Sequence, residues 1–271
     1  MRHGIASSVH AVMVLDGVGR EQRLVLKICV RDDPTERDQA GREAAILQIV
    51  AGGQVAAPRL VAVDREGEFC GRPSLLMTRL EGQVILRPRH IQSWIRGLAE
   101  LLPQIHSVPA QRETLEVYAT YGLPVAAAPP PSTAHRAAWE EAIARVAKPA
   151  PEEPACFIHR DLHPGNVLWA GSRTAGVVDW LHACWGSPAA DLGHCRWNLW
   201  YLHGQEAADA FLREYRLLVP GAPPYDPYWD LAAALGGNSL KFSSDARSLA
   251  VAEEIVYSSA NPRRAPSRRR T

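Results

Sequence analysis

Phe157-Ile158-His159-Arg160-Asp161-Leu162-His163-Pro164-Gly165-Asn166-Val167-Leu168-Trp169 is the stretch from which the rest of the chain is read. Thirteen residues after Asn166 a second acidic position follows, in Gly176-Val177-Val178-Asp179-Trp180. Between them lie two short apolar runs, Asn166–Trp169 and Ala175–Val178, joined by Ala170-Gly171-Ser172-Arg173-Thr174. A hairpin of that length brings Asn166 and Asp179 to one end. Phosphoryl transfer needs these residue types: a carboxylate to hold an acceptor hydroxyl, and an amide and a second carboxylate as hard oxygen ligands for Mg²⁺. Asp161 sits on the tight loop that His163-Pro164-Gly165 turns, where a general base is expected.

Working back toward the N-terminus, Gly4-Ile5-Ala6-Ser7-Ser8 reads as a small-residue turn and Val9–Val14 as a strand. After a turn at Asp16–Gly19, Arg23–Val30 reads as its hairpin partner. Ser7 and Ser8 are candidates for the place where backbone amides approach phosphates. Lys27 lies inside the second strand, where a charge is costly unless paired. The helical pattern over 35–51 sets Glu43 on the apolar stripe with Ile46, Leu47 and Val50. A Lys in a strand and a Glu on the buried face of the next helix invite an ion pair. Strands follow at 61–63 and 74–78, and Arg79-Leu80-Glu81-Gly82 leaves the second as an extended connector whose backbone can meet an adenine edge.

Working forward, residues 91–106 are strongly amphipathic, with Pro103 inside the helix. Residues 124–132 read as a linker-like insertion and 135–147 as a helix. Beyond Asp179 the chain is mostly helical: a helix with Asp191 as its N-cap, then helices near 205–218, from Asp226-Pro227, and over 245–258. The aromatic residues Trp180, Trp185, Trp197, Trp200, Tyr201, Tyr225, Tyr228 and Trp229 fall here, and so do Glu206, Asp209, Asp226, Asp230, Glu253 and Glu254. Aromatics can cage a quaternary ammonium, and converging carboxylates a polyamine. At helical spacings core packing and solvated faces account for most of them.

These motifs resemble the aminoglycoside phosphotransferase and choline kinase-like family, which shares the protein kinase-like fold. The resemblance covers most of residues 4–260 and rests on His159–Asn166, on Val178-Asp179-Trp180, on Leu75–Gly82, and on Leu26-Lys27 with Glu43. It implies an α+β, bilobal fold. A small N-terminal antiparallel sheet plus helix (1–80) would bind nucleotide, and a larger, mostly helical C-terminal lobe (81–260) would carry the catalytic and substrate-binding residues. A basic tail (261–271) is expected to be disordered. By the same resemblance Asp161 is the catalytic base, Asn166 and Asp179 bind Mg²⁺, Lys27 contacts the phosphates of ATP or GTP, and Glu43 positions it. The backbone at Thr78 and Leu80 meets the adenine, and Asp191 braces the catalytic loop.

The chain departs from the family in three places. It begins almost at the nucleotide loop, so the family's first strand is expected short or missing, with one sheet edge unpaired. Arg160 stands where the family often has Gly. Eleven residues separate Asp179 from Asp191, too few for a phosphorylated activation loop, and Trp180 replaces Phe-Gly. A small-molecule hydroxyl acceptor is therefore expected rather than a protein Ser/Thr substrate; a catalytically silent nucleotide-binding regulatory protein is the alternative.

Composition narrows the remaining classes. The 271 residues carry a formal net charge of +1, which gives no electrostatic case for nucleic acid or membrane partners. The basic residues comprise 27 Arg and three Lys, so each Lys stands out. Five cysteines without a C-x-x-C pair suit reduced thiols in the cytoplasm rather than a zinc site. No secretory leader or membrane-spanning run is read from the sequence, and it is silent on oligomeric state.

Overall fold

The computed structural model describes residues 7–15, 17–30, 38–119, 128–236 and 246–261. The first sheet is built from β1 (Ser7–Leu15), β2 (Glu21–Cys29), β3 (Leu60–Asp64) and β4 (Ser74–Thr78), antiparallel in the order β1-β2-β4-β3. Helix α1 (Gln39–Val50) packs against β3 and β4. Asp38 caps it by accepting the Gly41 amide at 2.9 Å, so the helix starts later than the periodicity over 35–51 predicts; residues 35–37 lie outside the described residues. Its stripe of Ala40, Ala44, Ile46, Leu47 and Val50 is buried, and Glu43 is buried with it.

Ser7 and Ser8 are strand, not turn. They pair with Cys29 and Ile28, because the β1–β2 ladder runs two residues past Val9. Residues 1–6, including the rest of the expected small-residue turn, lie outside the described residues. The outer edge of β1 has no strand partner among the described residues. Its side chains Val9, Met13 and Leu15 are all well exposed.

The chain leaves β4 through Arg79–Glu81 and enters β5 (Gln83–Val84), which pairs with β7 (Val167–Ala170) and through it with β8 (Arg173–Val177). Gly82 makes this crossing possible. Its φ is 110°, and a Cβ there would lie 2.7 Å from the Trp169 carbonyl oxygen. The short strands β6 (Cys156–Ile158) and β9 (Cys184–Gly186) pair beside the His159–Asn166 stretch.

The rest is helical: α2 (Ile91–His106), α3 (Arg136–Val146), α4 (Pro188–His203), α5 (Gln205–Leu218), α6 (Tyr228–Leu235) and α7 (Ala246–Ala260). Helix α2 lays its apolar face (Trp94, Ile95, Leu98, Leu102, Ile105) against α5 and β6. Helix α4 is the central one, packed on α5, α6, α7 and β6. It begins four residues before the position expected from Asp191 as N-cap. Ser187 is the N-cap, accepting the Ala189 amide at 3.0 Å, and Pro188 takes the first helical position. The Ser-Pro pair is the stronger start signal, and Asp191 is left in the first turn. Of the linker-like residues 124–132, residues 124–127 lie outside the described residues, as do 120–123, 237–245 and the basic tail from 262 onward.

Arg196 of α4 is buried and fully engaged. Its guanidinium meets both oxygens of Asp230 on α6 (Nε–Oδ1 2.9 Å, Nη2–Oδ2 3.0 Å), the Ala208 carbonyl at 2.7 Å and Asp209 at 3.2 Å. Removing one partner of such a pair strands the other charge, at a cost of about 3–5 kcal/mol. Arg196→Met is therefore expected to lower the unfolding free energy by about that amount in urea titration. The double variant Arg196→Met with Asp230→Leu should recover a large part of it.

Candidate active site

The hairpin β7–β8 does what the spacing of the motif requires. Val167 pairs with Val177, and the Val178 amide donates to the Asn166 carbonyl at 2.9 Å, so Asn166 and Asp179 emerge side by side. The short turn Pro164–Asn166 ahead of β7 is capped by His163, whose Nδ1 accepts the Gly165 amide at 3.1 Å. Asn166 turns its amide group toward Asp161, donating to the carboxylate at 3.1 Å and to the Asp161 carbonyl at 2.9 Å. Its oxygen is thereby left facing away from Asp161.

Asp191 holds the His159–Asp161 loop from below. Its carboxylate is 0 % exposed and accepts three bonds: the His159 amide at 3.0 Å, the Arg160 amide at 2.6 Å and His106 Nε2 at 3.1 Å. Burial alone would raise the carboxyl. The His106 hydrogen bond, the neighbouring His106 and His159, and the His159 amide outweigh it and hold Asp191 below the ordinary carboxylate value. Arg160 adopts a left-handed conformation, φ 66°. That is the reason a glycine suits this position, and here a non-glycine residue carries the strain. The Arg160 side chain donates to the Ala119 carbonyl at 2.7 Å and lies over the Tyr118 ring. His159 Nδ1 accepts the Asp161 amide at 3.3 Å, so its Nε2 proton goes to the Val178 carbonyl at 3.1 Å. The loop and the Asp179 segment are thus tied through one imidazole.

Lys27 and Glu43 meet as the sequence invites, Nζ–Oε2 2.6 Å, with both side chains nearly buried. The same ammonium reaches Asp179 Oδ1 at 2.7 Å. Burial would lower the lysine, but the two carboxylates more than offset it and hold Lys27 above its ordinary value. Asp179 is left-handed, φ 64°, a second strained non-glycine residue of the site. Thr78 ends β4 with its amide taken by the Arg59 carbonyl at 2.9 Å and its hydroxyl by the Arg59 amide at 2.8 Å. Leu80 lies in the connector just beyond. Ser7 and Ser8 lie on β1 near the end of the ladder, one strand away from Lys27.

Two groups escaped the reading of the motif. Val9 is directly opposite Lys27 in the β1–β2 register, and Val25 is two residues from it, so both share its face of the sheet. Val9 is 64 % exposed, an apolar side chain left open beside a charged cleft. The register signal that places it is available only once the hairpin pairing is fixed. The second group is His194 on α4, whose Nε2 lies 3.0 Å from Asp161 Oδ1.

Asp161 accordingly has both carboxylate oxygens engaged. Burial would raise it, but the His194 hydrogen bond and the nearby His194, His163 and His159 hold it well below the usual range. It is an anion at neutral pH and can accept a proton or a hydroxyl hydrogen bond. His182 lies near Asp161 and Asp179, and its burial lowers it and favours the neutral imidazole. No group of three or more His, Cys, Asp or Glu side chains disposed to hold a metal occurs among the described residues. The Asn166 oxygen and the half-exposed Asp179 carboxylate fit a cation that takes few protein ligands and keeps phosphate and water for the rest, as Mg²⁺ does.

Comparisons with known proteins bear on the family and the fold. A model described as the phosphotransferase enzyme family matches residues 3–248. The homoserine kinase of Methylobacterium nodulans is 33 % identical over 171 residues, 57 % of this chain and 51 % of that protein. The homoserine kinase of Brucella anthropi is 28 % identical over 210 residues, 69 % of this chain and 61 % of that protein. The chain thus spans about half the length of the first of these relatives. Among solved structures, a thermostable mutant of aminoglycoside phosphotransferase APH(4)-Ia, in ternary complex with AMP-PNP and hygromycin B, superposes with a TM-score of 0.64. It is 16 % identical, over 96 % of this chain and 93 % of the other. Macrolide 2'-phosphotransferase MphH from Brachybacterium faecium gives 0.53 at 18 % identity, over 97 % and 94 %. At these identities the structural likeness speaks for the bilobal kinase-like α+β fold alone.

Asp191→Ala leaves two loop amides and His106 without their partner, and is expected to cost about 3–5 kcal/mol in denaturant unfolding. The sign with pH follows from the depressed carboxyl. The stability it supplies is complete above the ordinary value of about 4 and is lost as pH falls through the lower folded value. An acid titration of stability should show a limb below about pH 4 that is shallower in Asp191→Ala.

Proposed function

The chain belongs to the phosphotransferase enzyme family, and within it we propose a kinase that moves the γ-phosphoryl group of ATP, or GTP, to a hydroxyl of a small molecule. The observation that carries this reading is the convergence of Asp161, Asn166 and Asp179 with the buried Lys27–Glu43 pair. Lys27 binds the nucleotide phosphates and Glu43 keeps its ammonium aimed at them. The base of the nucleotide lies under Val9 and Val25 and meets the connector backbone at Thr78 and Leu80, with Ser7 and Ser8 at the phosphate end. Asn166 and Asp179 hold Mg²⁺, which draws charge from the phosphates when bound. Asp161 orients the acceptor hydroxyl and takes its proton as the oxygen attacks in line.

Acidic side chains bear on the acceptor. A polycation such as an aminoglycoside calls for several converging carboxylates, and those of the C-terminal helices are already engaged. Asp209 and Asp230 bind Arg196, and Asp226 binds Arg145. Glu253 accepts from Thr133 and Trp139, and Glu254 from Trp200. Only Glu206, of the six named from the sequence, stands exposed without such a partner among the described residues. Five of the eight aromatic residues named from the sequence are no better placed as a cage. Trp180, Trp200, Tyr228 and Trp229 are buried, and Tyr225 lies under Arg196 and bonds Asp230. The facing groups near Asp161 are histidines. A compact hydroxyl compound of low net charge suits this site, and homoserine, for which the curated relatives are named, heads the acceptors to be tried.

Turnover of Mg-ATP and Mg-GTP should be measured with homoserine, choline, amino sugars, aminoglycosides and macrolides. The expected result is ADP or GDP release stimulated by one small acceptor. Asp161→Asn should lower kcat by roughly 10²–10⁴-fold with little change in nucleotide KM. Stripping divalent cations with EDTA should abolish turnover, and Mg²⁺ should restore it. Turnover that is indifferent to Asp161→Asn would sink the proposal.

A further inference from the structure

Helix α4 reaches the catalytic loop twice. Asp191 pins the loop backbone, and His194, three residues on and so on the same helix face, comes back over the side chain of Asp161. The rotation of the helix is set tightly. Gly193, between them, packs so close to α6 that a Cβ would stand 2.5 Å from the Trp229 carbonyl oxygen. His194 and Asp161 are each only partly covered, 22 % and 25 % exposed, so the contact lines the cleft where an acceptor must enter. The His163 ring closes the other side of His194, edge-on at 5.9 Å.

We infer that His194 is a positioning residue for Asp161, fixing the plane of the carboxylate toward the acceptor hydroxyl. An ionised carboxylate only accepts, so the proton in the 3.0 Å contact is on His194 Nε2. Asn166 holds Oδ2 and His194 holds Oδ1, and a turn of the carboxylate would break one bond or both. Each oxygen keeps a second lone pair for the acceptor. Without His194, Asp161 is held by Asn166 alone and can rotate away from in-line geometry. This assignment rests on the phosphotransfer reading above.

The test compares wild type, His194→Ala, His194→Gln and Asp161→Asn, using the identified acceptor or, failing one, slow hydrolysis of Mg-ATP with water as acceptor. His194→Ala is expected to lower kcat about 10–100-fold, the worth of one charge-assisted hydrogen bond, with nucleotide KM and thermal midpoint little changed. Glutamine places an amide N–H near the position of Nε2, so His194→Gln should recover most of the loss. If Asp161→Asn falls while His194→Ala matches wild type, the positioning role is overturned and the phosphotransfer reading survives. Equal losses in His194→Ala and His194→Gln, with a lowered melting temperature, would overturn it in favour of packing alone. An Asp161→Asn variant as active as wild type overturns both. Histidine ¹⁵N spectra read the contact without turnover: the His194 Nε2 resonance should move in Asp161→Asn, and an unmoved resonance overturns the assignment.

Discussion

One buried cation organises the cleft. Lys27 comes from a strand, Glu43 from the helix behind it, and Asp179 from a segment 152 residues away. A lysine removed from water is tolerable only with such partners, so each element must sit where its charge is needed. The sheet, α1 and the β7–β8 hairpin therefore share a requirement that no apolar contact would impose. An apolar core accepts many repackings, whereas a charge held at 2.6 Å and 2.7 Å accepts few. Phosphates and a divalent cation would enter this same arrangement by competing for charges that are already in place.

The sequence showed this half of the site because its residues are misfits. Lys27 interrupts an apolar strand and Glu43 an apolar stripe, and each violation of pattern has a single economical explanation. The hairpin end holding Asn166 and Asp179 was legible for a different reason, since strand pairing converts a separation in sequence into a place in space. Other parts were hidden for physical reasons. The start of α4 went to Ser187-Pro188 rather than Asp191, because a buried carboxylate can serve another segment's amides as well as its own helix. Ser7 and Ser8 look like turn residues and become strand through a ladder with Cys29 and Ile28, a tertiary preference overriding local propensity. His194 carries no periodic signal at all. It is one polar residue on a helix whose facing could be known only after α4 was packed.

The acidic residues show the limit of composition as a guide to ligand. Six carboxylates in the C-terminal helices could be imagined converging on a polyamine. In the fold Arg145, Arg196, Trp139, Trp200, Thr133 and Tyr225 take up five of them, stitching α3, α4, α6 and α7 together. Charge that a sequence offers to a ligand is often already used by the scaffold. The surroundings of Asp161 are instead set by His163, His182 and His194, which leave it the anion of its neighbourhood.

Asp191 has a consequence for motion as well as for stability. Its carboxylate joins the amides of His159 and Arg160 to the first turn of α4, with His106 from the end of α2 on the same oxygen as His159. The loop cannot fray alone, because releasing either amide strands a buried anion. Loop and helix start should then open as one cooperative unit, and solvent exchange at the two loop amides should follow that shared opening rather than a local fluctuation. Asp161 thus sits on a loop with the dynamic character of the core.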